Sequence, residues 1–319
     1  MTEKIVIIGA SHAGVSCAEQ LRHLGFCGDI TLIDRQSGAP MERPPLSKSY
    51  FGSQFADDEK FLLRRPEWFS KFQIAMIDGV AVTDICTKTH QLQLADGRFL
   101  DYDRLVLATG AVPRQLEQTA GFRGVFVLRS PDDAAALRDA MKSHTTAIII
   151  GGGYIGLEVA ASFSKAGLKV HVIEAAERLL ARVASPDISA FFMRLHQRNG
   201  VQLHIGAAGT EIHQSDGQFS GVTLPDGQKI AAEILVVGIG VVPDSELALI
   251  AGAAIGNGVL VDRRMRTSIE DVYAIGDVAL VDGATTRIES VHNAQDTATR
   301  AAADITQKPL PSDTIPWFW

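Results

Sequence analysis

A β-branched apolar run that feeds a glycine-rich turn occurs twice in this chain, and each time it heads the same longer series of elements. Ile5–Ile8 reads as a buried strand, because four consecutive apolar residues leave it no polar face. The turn Gly9–Gly14, a helix over Val15–Leu24 and a second strand over Ile30–Asp34 follow. The order returns as the strand Ala147–Ile150, the turn Gly151–Gly156, a helix over Leu157–Ala166 and the strand Lys169–Glu174. Each unit then runs through an Asp-Gly hairpin turn, Asp96-Gly97 or Asp226-Gly227, into an apolar closing strand that ends in Gly-x-x-Pro. Asp96 precedes Pro113 by 17 positions, and Asp226 precedes Pro243 by the same 17. One glycine turn is a weak signal. Two, embedded at matching offsets in the same unit, predict a duplicated α/β fold with two Rossmann-like domains. Further helices are predicted where a capping serine meets proline and acids, at Ser130-Pro131-Asp132-Asp133 and at Ser185-Pro186-Asp187.

The chemistry of such turns is that of anion binding. A helix N-terminus presents unpaired N–H groups and partial positive charge to a pyrophosphate. Glycines allow close backbone approach, and an acid ending the next strand accepts from ribose hydroxyls. The second copy fits throughout: Gly151, Gly153 and Gly156 frame the turn, Tyr154 and Ile155 stand within it, and Glu174 ends the next strand. The first copy has Gly9 and Gly14 with Asp34 downstream, but Ser11 replaces the middle glycine and is followed by His12 and Ala13. A later run, Val272–Ile275, ends in Gly276-Asp277 and reads as a short strand and turn.

Size and composition agree with two soluble domains: 319 residues, 46% hydrophobic and 21% charged. A net charge of −7 argues against a nucleic-acid partner. Cys17, Cys27 and Cys86 form neither a disulfide framework nor a zinc signature, so no metal site is expected. The run after Met1 is too short for a signal peptide, and no stretch approaches a membrane span, so a cytoplasmic location is expected.

Several blocks carry a resemblance that covers the whole chain: the first glycine turn, Glu42-Arg43-Pro44-Pro45-Leu46-Ser47-Lys48, Ala108-Thr109-Gly110, Gly151–Glu158, Tyr273–Val278, Glu289–Ala294 and the terminal Pro316-Trp317-Phe318-Trp319. They resemble the FAD-dependent pyridine nucleotide–disulfide oxidoreductase superfamily, and within it the ferredoxin reductases of oxygenase systems. The resemblance implies two dinucleotide-binding domains of the three-layer ββα type, the second inserted in the first. FAD would occupy residues 1–111 with 243–319, and NAD residues 112–242. Superfamily members that reduce disulfides or peroxides need cysteine beside the flavin, yet Met41–Tyr50 has none. Electrons are therefore expected to pass directly from the flavin to an iron–sulfur protein.

The resemblance also assigns residues. Asp277, after Gly276, would hold the FAD ribityl or pyrophosphate region, with Gly9, Ser11, His12, Ala13, Gly14 and Asp34 also binding FAD. Arg35, Val82, Ala108, Thr109, Gly110 and Arg114 complete that expectation. Arg43 and Pro45 would line the flavin, with Lys48 near its N5 and Glu158 as the lysine's partner. Glu289–Ala294 would open a helix running through Arg300 that aims its dipole at the flavin pyrimidine, with Val291 and His292 among the FAD contacts. Gly238, Ile239 and Gly240 join the second glycine turn, Glu158 and Glu174 at NAD. Arg300 and Trp319 are expected to form a docking patch for a [2Fe–2S] ferredoxin, Trp319 lying beside the FAD. The implied activity is hydride transfer from NADH to FAD, then single-electron transfer to that ferredoxin. A rubredoxin reductase, or an NADH-responsive interaction protein like apoptosis-inducing factor, is the alternative. The chain stops within the Pro-Trp-Phe-Trp block, so it is expected to be a piece of a longer protein with a C-terminal domain.

Overall fold

A computed structural model describes residues 2–52, 59–313 and 315. The chain divides into two compact units, Met1–Glu42 with Glu59–Val112 and Pro243–Trp319, and Arg43–Asp58 with Pro113–Val242.

The first unit is built on a parallel five-stranded sheet in the order Val272–Ala274, Arg104–Leu107, Lys4–Ile8, Asp29–Ile33, Ile74–Ile77. Ile5, Ile7, Leu32 and Leu105 are wholly buried in it, each worth roughly 1.5–3 kcal/mol relative to exposure. The helices His12–His23 and Val291–Ile305 pack on one another through alanine and cysteine, with Cys17, Ala18, Ala298, Ala301 and Ala302 fully buried. Small side chains on both helices permit that close approach. An antiparallel sheet of Val82–Cys86, Gln91–Leu94 and Phe99–Asp101 adds Ile85, Leu92 and Leu94 to the same core. A further small sheet joins Ile255–Gly256, Gly258–Val261 and Ala279–Val281.

The second unit repeats this plan. Its parallel sheet runs Gln202–Ile205, Lys169–Glu174, Thr146–Ile150, Ile234–Val237, Val125–Phe126. Strand side chains alternate between faces. Ile148, Ile173, Leu235 and Val237 meet Phe219, Val222 and Ile230 of an antiparallel layer formed by Glu211–Ser215, Gln218–Thr223 and Lys229–Ala231. The helices are Pro131–Ser143, Tyr154–Lys165 and Pro186–Arg198. The first begins with a full capping box between Ser130 and Asp133, and the third with Ser185 accepting from the Ile188 N–H. Arg43–Asp58 groups with this second unit and not with its sequence neighbours. Its described part holds one 3₁₀ turn at Pro44–Ser47, where two prolines fix φ, and another at Ser49–Gly52.

Candidate functional site: two dinucleotide cradles

In the first unit, Gly9 has φ +106°, and a Cβ there would lie 2.2 Å from the Ala108 carbonyl oxygen, so only glycine fits. Ser11, the N-cap of the following helix, has φ −103°, and its counterpart Gly153 has φ −82°. Neither backbone needs glycine. A Cβ added at Gly153 would meet no protein atom within 4 Å. Protein packing therefore does not demand glycine at the middle position of the fingerprint, and the backbone accepts serine at position 11. The helices His12–His23 and Tyr154–Lys165 start without a side-chain cap, whereas the helices that follow Ser130, Ser185 and Ser290 all have one. Asp34 closes the first cradle: Oδ2 accepts from the Ala10 N–H at 2.7 Å and Oδ1 from the Gln36 N–H at 2.8 Å. Gly14 packs on the Gly9 carbonyl, and Ala13 is buried beside Gly276.

The rest of the first cradle rests on residues that the motifs do not name. Thr109 Oγ1 donates to the Asp244 carbonyl at 2.6 Å, and the Asp244 N–H donates to Gly110 at 3.0 Å. The Asp244 carboxylate holds Arg35 at 3.1 Å. The Gly276 N–H donates to Thr297 Oγ1 at 2.9 Å, tying the Gly-Asp turn to the helix that starts at Val291 and His292. The guanidinium of Arg287, almost fully buried, donates to the Asp277 carbonyl and pairs with Glu289 at 2.9 Å. Asp244, Arg287 and Thr297 escape sequence reasoning because their partners lie far off in the chain or are backbone carbonyls. Val82 belongs to the hydrophobic core, so its side chain faces protein.

The second cradle reproduces the first. Gly151 has φ +113°, and a Cβ would lie 2.3 Å from the Gly238 carbonyl oxygen. Glu174 uses both oxygens as Asp34 does: Oε2 accepts from Gly152 at 2.6 Å and Oε1 from Ala176 at 2.8 Å. Gly156 is buried, while Tyr154 and Ile155 are exposed in the first turn. Gly238 donates to the Ile150 carbonyl and Gly240 accepts from the Arg114 N–H at 2.9 Å, with Ile239 between them. Arg178 is committed to the loop after Glu174, donating to the carbonyls of Ala181 and Ala184 and to Ser189 Oγ at 2.7–2.8 Å. Arg182 is exposed. A helix start without a side-chain cap and a clamped carboxylate fit a dinucleotide in both units, and in the second the open space at Gly153 adds to the fit.

The second unit also holds a charged cluster. Lys48 Nζ lies 2.9 Å from Glu158 Oε2 and 3.2 Å from the Pro44 carbonyl. Ser47 Oγ donates to the same Glu158 oxygen at 2.5 Å. Arg43 donates to the Arg129 carbonyl at 2.6 Å, and Pro45 stands in the 3₁₀ turn between them.

The docking expectation fails at Arg300. Its side chain is only 9% exposed and is held by Asp296 at 2.7 Å and Asp313 at 3.1 Å, so it is an internal tie of the first unit and not a free surface cation. Trp319 lies outside the described residues. The cysteines are all free; Cys17 is buried, which pushes its thiol up to about 12, and Cys27 and Cys86 are exposed.

Comparison with known proteins follows this geometry. Residues 3–298 match the family model described as pyridine nucleotide-disulphide oxidoreductase. The chain is 41% identical to rhodocoxin reductase of Rhodococcus erythropolis, over 99% of its own length and 75% of that protein's. It is 38% identical to a rubredoxin-NAD(+) reductase of Pseudomonas putida, over 99% and 83% of the two chains. The crystal structure of the ferredoxin reductase for the CYP199A2 system of Rhodopseudomonas palustris superimposes with TM-score 0.94 at 39% identity, covering 99% of this chain and 79% of that one. Two cradles on one plan, with no cysteine between Met41 and Tyr50, belong to a chain of the pyridine nucleotide-disulphide oxidoreductase family, a flavoprotein oxidoreductase of the ferredoxin and rubredoxin reductase type.

Proposed function

We propose that this protein is an NADH-dependent reductase that serves a [2Fe–2S] ferredoxin of an oxygenase system, with FAD in the first cradle and NAD(H) in the second. Bound FAD supplies the chemistry, accepting a hydride from C4 of the nicotinamide and releasing electrons one at a time. The chain's residues bind, orient and tune. Asp34 and Glu174 fix the two turns through paired backbone amides and keep their carboxylates where ribose hydroxyls would donate. Arg287 and Thr297 hold the backbone of the Gly276-Asp277 turn that is assigned to the FAD ribityl and pyrophosphate region. Lys48 is held by Glu158 and the Pro44 carbonyl, and is assigned the flavin N5 end. Preference for NADH follows from Glu174, because a 2′-phosphate beside that carboxylate would meet like charge. Arg178 cannot relieve this, since its guanidinium is spent on the loop carbonyls.

The observation that carries the reading is the paired clamp: the same two-oxygen contact closes both turns, with the glycine signature and cysteine-free Met41–Tyr50 segment of a reductase that passes electrons onward without a thiol. The test is anaerobic titration of the purified flavoprotein with NADH, followed by cytochrome c reduction with and without added [2Fe–2S] ferredoxins. Bleaching by NADH and a ferredoxin-dependent rate are expected. A flavin that NADH does not bleach would overturn the proposal, and a rate supported by rubredoxin alone would reassign the acceptor.

A further inference from the structure

The Pro44–Ser47 turn ends on a residue that no motif of the dinucleotide sites explains. Ser47 is 5% exposed, and a buried hydroxyl needs an acceptor. It takes a charged one: Ser47 Oγ donates at 2.5 Å to Glu158 Oε2, the oxygen that Lys48 Nζ also reaches at 2.9 Å. The Ser47 carbonyl accepts from Ser162 Oγ at 2.9 Å. Residues 158 and 162 are one turn apart on the same helix face, so Ser47 is stapled to that face twice, once by its hydroxyl and once by its carbonyl. The helix is the one whose first turn forms the second cradle. Among the described residues no donor reaches Glu158 Oε1.

These contacts are unequal in stiffness. The Lys48 side chain is 48% exposed and rotates about four bonds, so its ion pair alone restrains Glu158 weakly. Ser47 has one side-chain torsion, sits in a turn fixed by two prolines and is buried. We propose that Ser47 is a positioning residue for the reductive half-reaction: its hydroxyl holds one carboxylate oxygen of Glu158 against Lys48 and leaves the other available as an acceptor. The inference rests on the proposed roles of Lys48 and Glu158 in reduction by NADH, and goes beyond them by making both depend on a third side chain.

The test is anaerobic stopped-flow reduction of the bound flavin by NADH in the wild type, Ser47→Ala, Ser47→Thr, Glu158→Ala and the double variant Ser47→Ala/Glu158→Ala. Ser47→Ala is expected to keep its FAD and to slow reduction roughly ten- to a hundredfold, the worth of one hydrogen bond to a charged group. Ser47→Thr, which restores the hydroxyl, should recover most of the rate. In the Glu158→Ala background the serine substitution should have no further effect, because its target is gone. If Ser47→Ala loses flavin, Ser47→Cys keeps the volume with a weak donor and carries the same comparison. A wild-type rate in Ser47→Ala beside a slow Glu158→Ala overturns the positioning role, and so do effects that simply multiply in the double variant. A wild-type rate in Glu158→Ala overturns it as well but leaves the reductase reading intact. A wild type that NADH does not bleach overturns both.

Discussion

His171 and His204 lie on neighbouring strands of the second unit with their rings stacked and Nδ1 to Nε2 at 3.0 Å. Such a pair shares one N–H between two nitrogens, so a further proton on each ring would point hydrogens at one another. His171 is buried, and burial first, then His204 and then Lys169, lower its affinity for a proton from the ordinary 6.5 to about 4. Burial lowers His204 too, against the opposing pull of Asp226. Between these limits the unfolded chain binds a proton that the folded unit refuses, so stability is full above pH 6.5 and is lost as pH falls toward 4. Each pH unit inside the window is worth 1.36 kcal/mol per such group. His171 alone should therefore remove about 2 kcal/mol between pH 6.5 and 5, and about 3 kcal/mol by pH 4. The perturbation is His171→Phe, which keeps a stacked ring and cannot titrate. At pH 7 it should be the weaker protein, since His204 loses its partner, at roughly 1–3 kcal/mol. Urea denaturation followed by circular dichroism at pH 7, 6 and 5 should show the gap between wild type and variant closing by about 2 kcal/mol. A gap that stays constant over that range would refute the reasoning, because it would mean that His171 takes up its proton equally in the folded and unfolded states.

Glu174→Ala should narrow the preference for NADH over NADPH by about thirtyfold or more in stopped-flow reduction, the value of about 2 kcal/mol of like-charge repulsion at high dielectric; an unchanged ratio would remove Glu174 from nucleotide choice. Lys48→Ala should retain FAD but slow its reduction at least about tenfold, and unchanged kinetics would make Lys48 an ordinary surface lysine. Asp304 is all but fully buried at its carboxylate and accepts from Arg264, Arg266 and the Tyr273 hydroxyl at 2.6–3.0 Å, the arginines and tyrosine holding it below the usual carboxylate range against the opposing effect of burial. Asp304→Ala should cost roughly 3–5 kcal/mol, read as a drop of about 10 °C or more in thermal melting of the first unit, with no change if the network is only a surface ornament.

What could be read in the sequence was local or periodic. The strand Lys169–Glu174, the capped helix starts at Pro131 and Pro186, and the glycine turns all announce themselves within a few residues. The two glycine-turn helices begin three residues earlier than the apolar pattern suggested, at His12 and Tyr154, because the last glycine of each motif sits inside the first helical turn. The short strands at Ile74–Ile77 and Gln202–Ile205 were missed, since edge strands need pairing partners that only the fold supplies. Arg300 shows the same limit from the other side. Its spacing on the helix looks like that of any solvated cation, and only the fold brings Asp313 to it and closes the site against water.

The middle position of the glycine fingerprint separates the two kinds of information most sharply. Gly9 and Gly151 are required by protein atoms, a carbonyl oxygen about 2 Å from where a Cβ would be, so the protein's own packing imposes them. Gly153 and Ser11 are not: both have ordinary φ, and open space lies beyond Gly153. Protein packing leaves the identity of Gly153 open, as a position facing a bound pyrophosphate would require. If the first cradle takes FAD and the second NAD(H), as proposed, the Cβ and hydroxyl of Ser11 would set the first pyrophosphate slightly farther from the backbone than Gly153 would set the second, because glycine adds no side chain there.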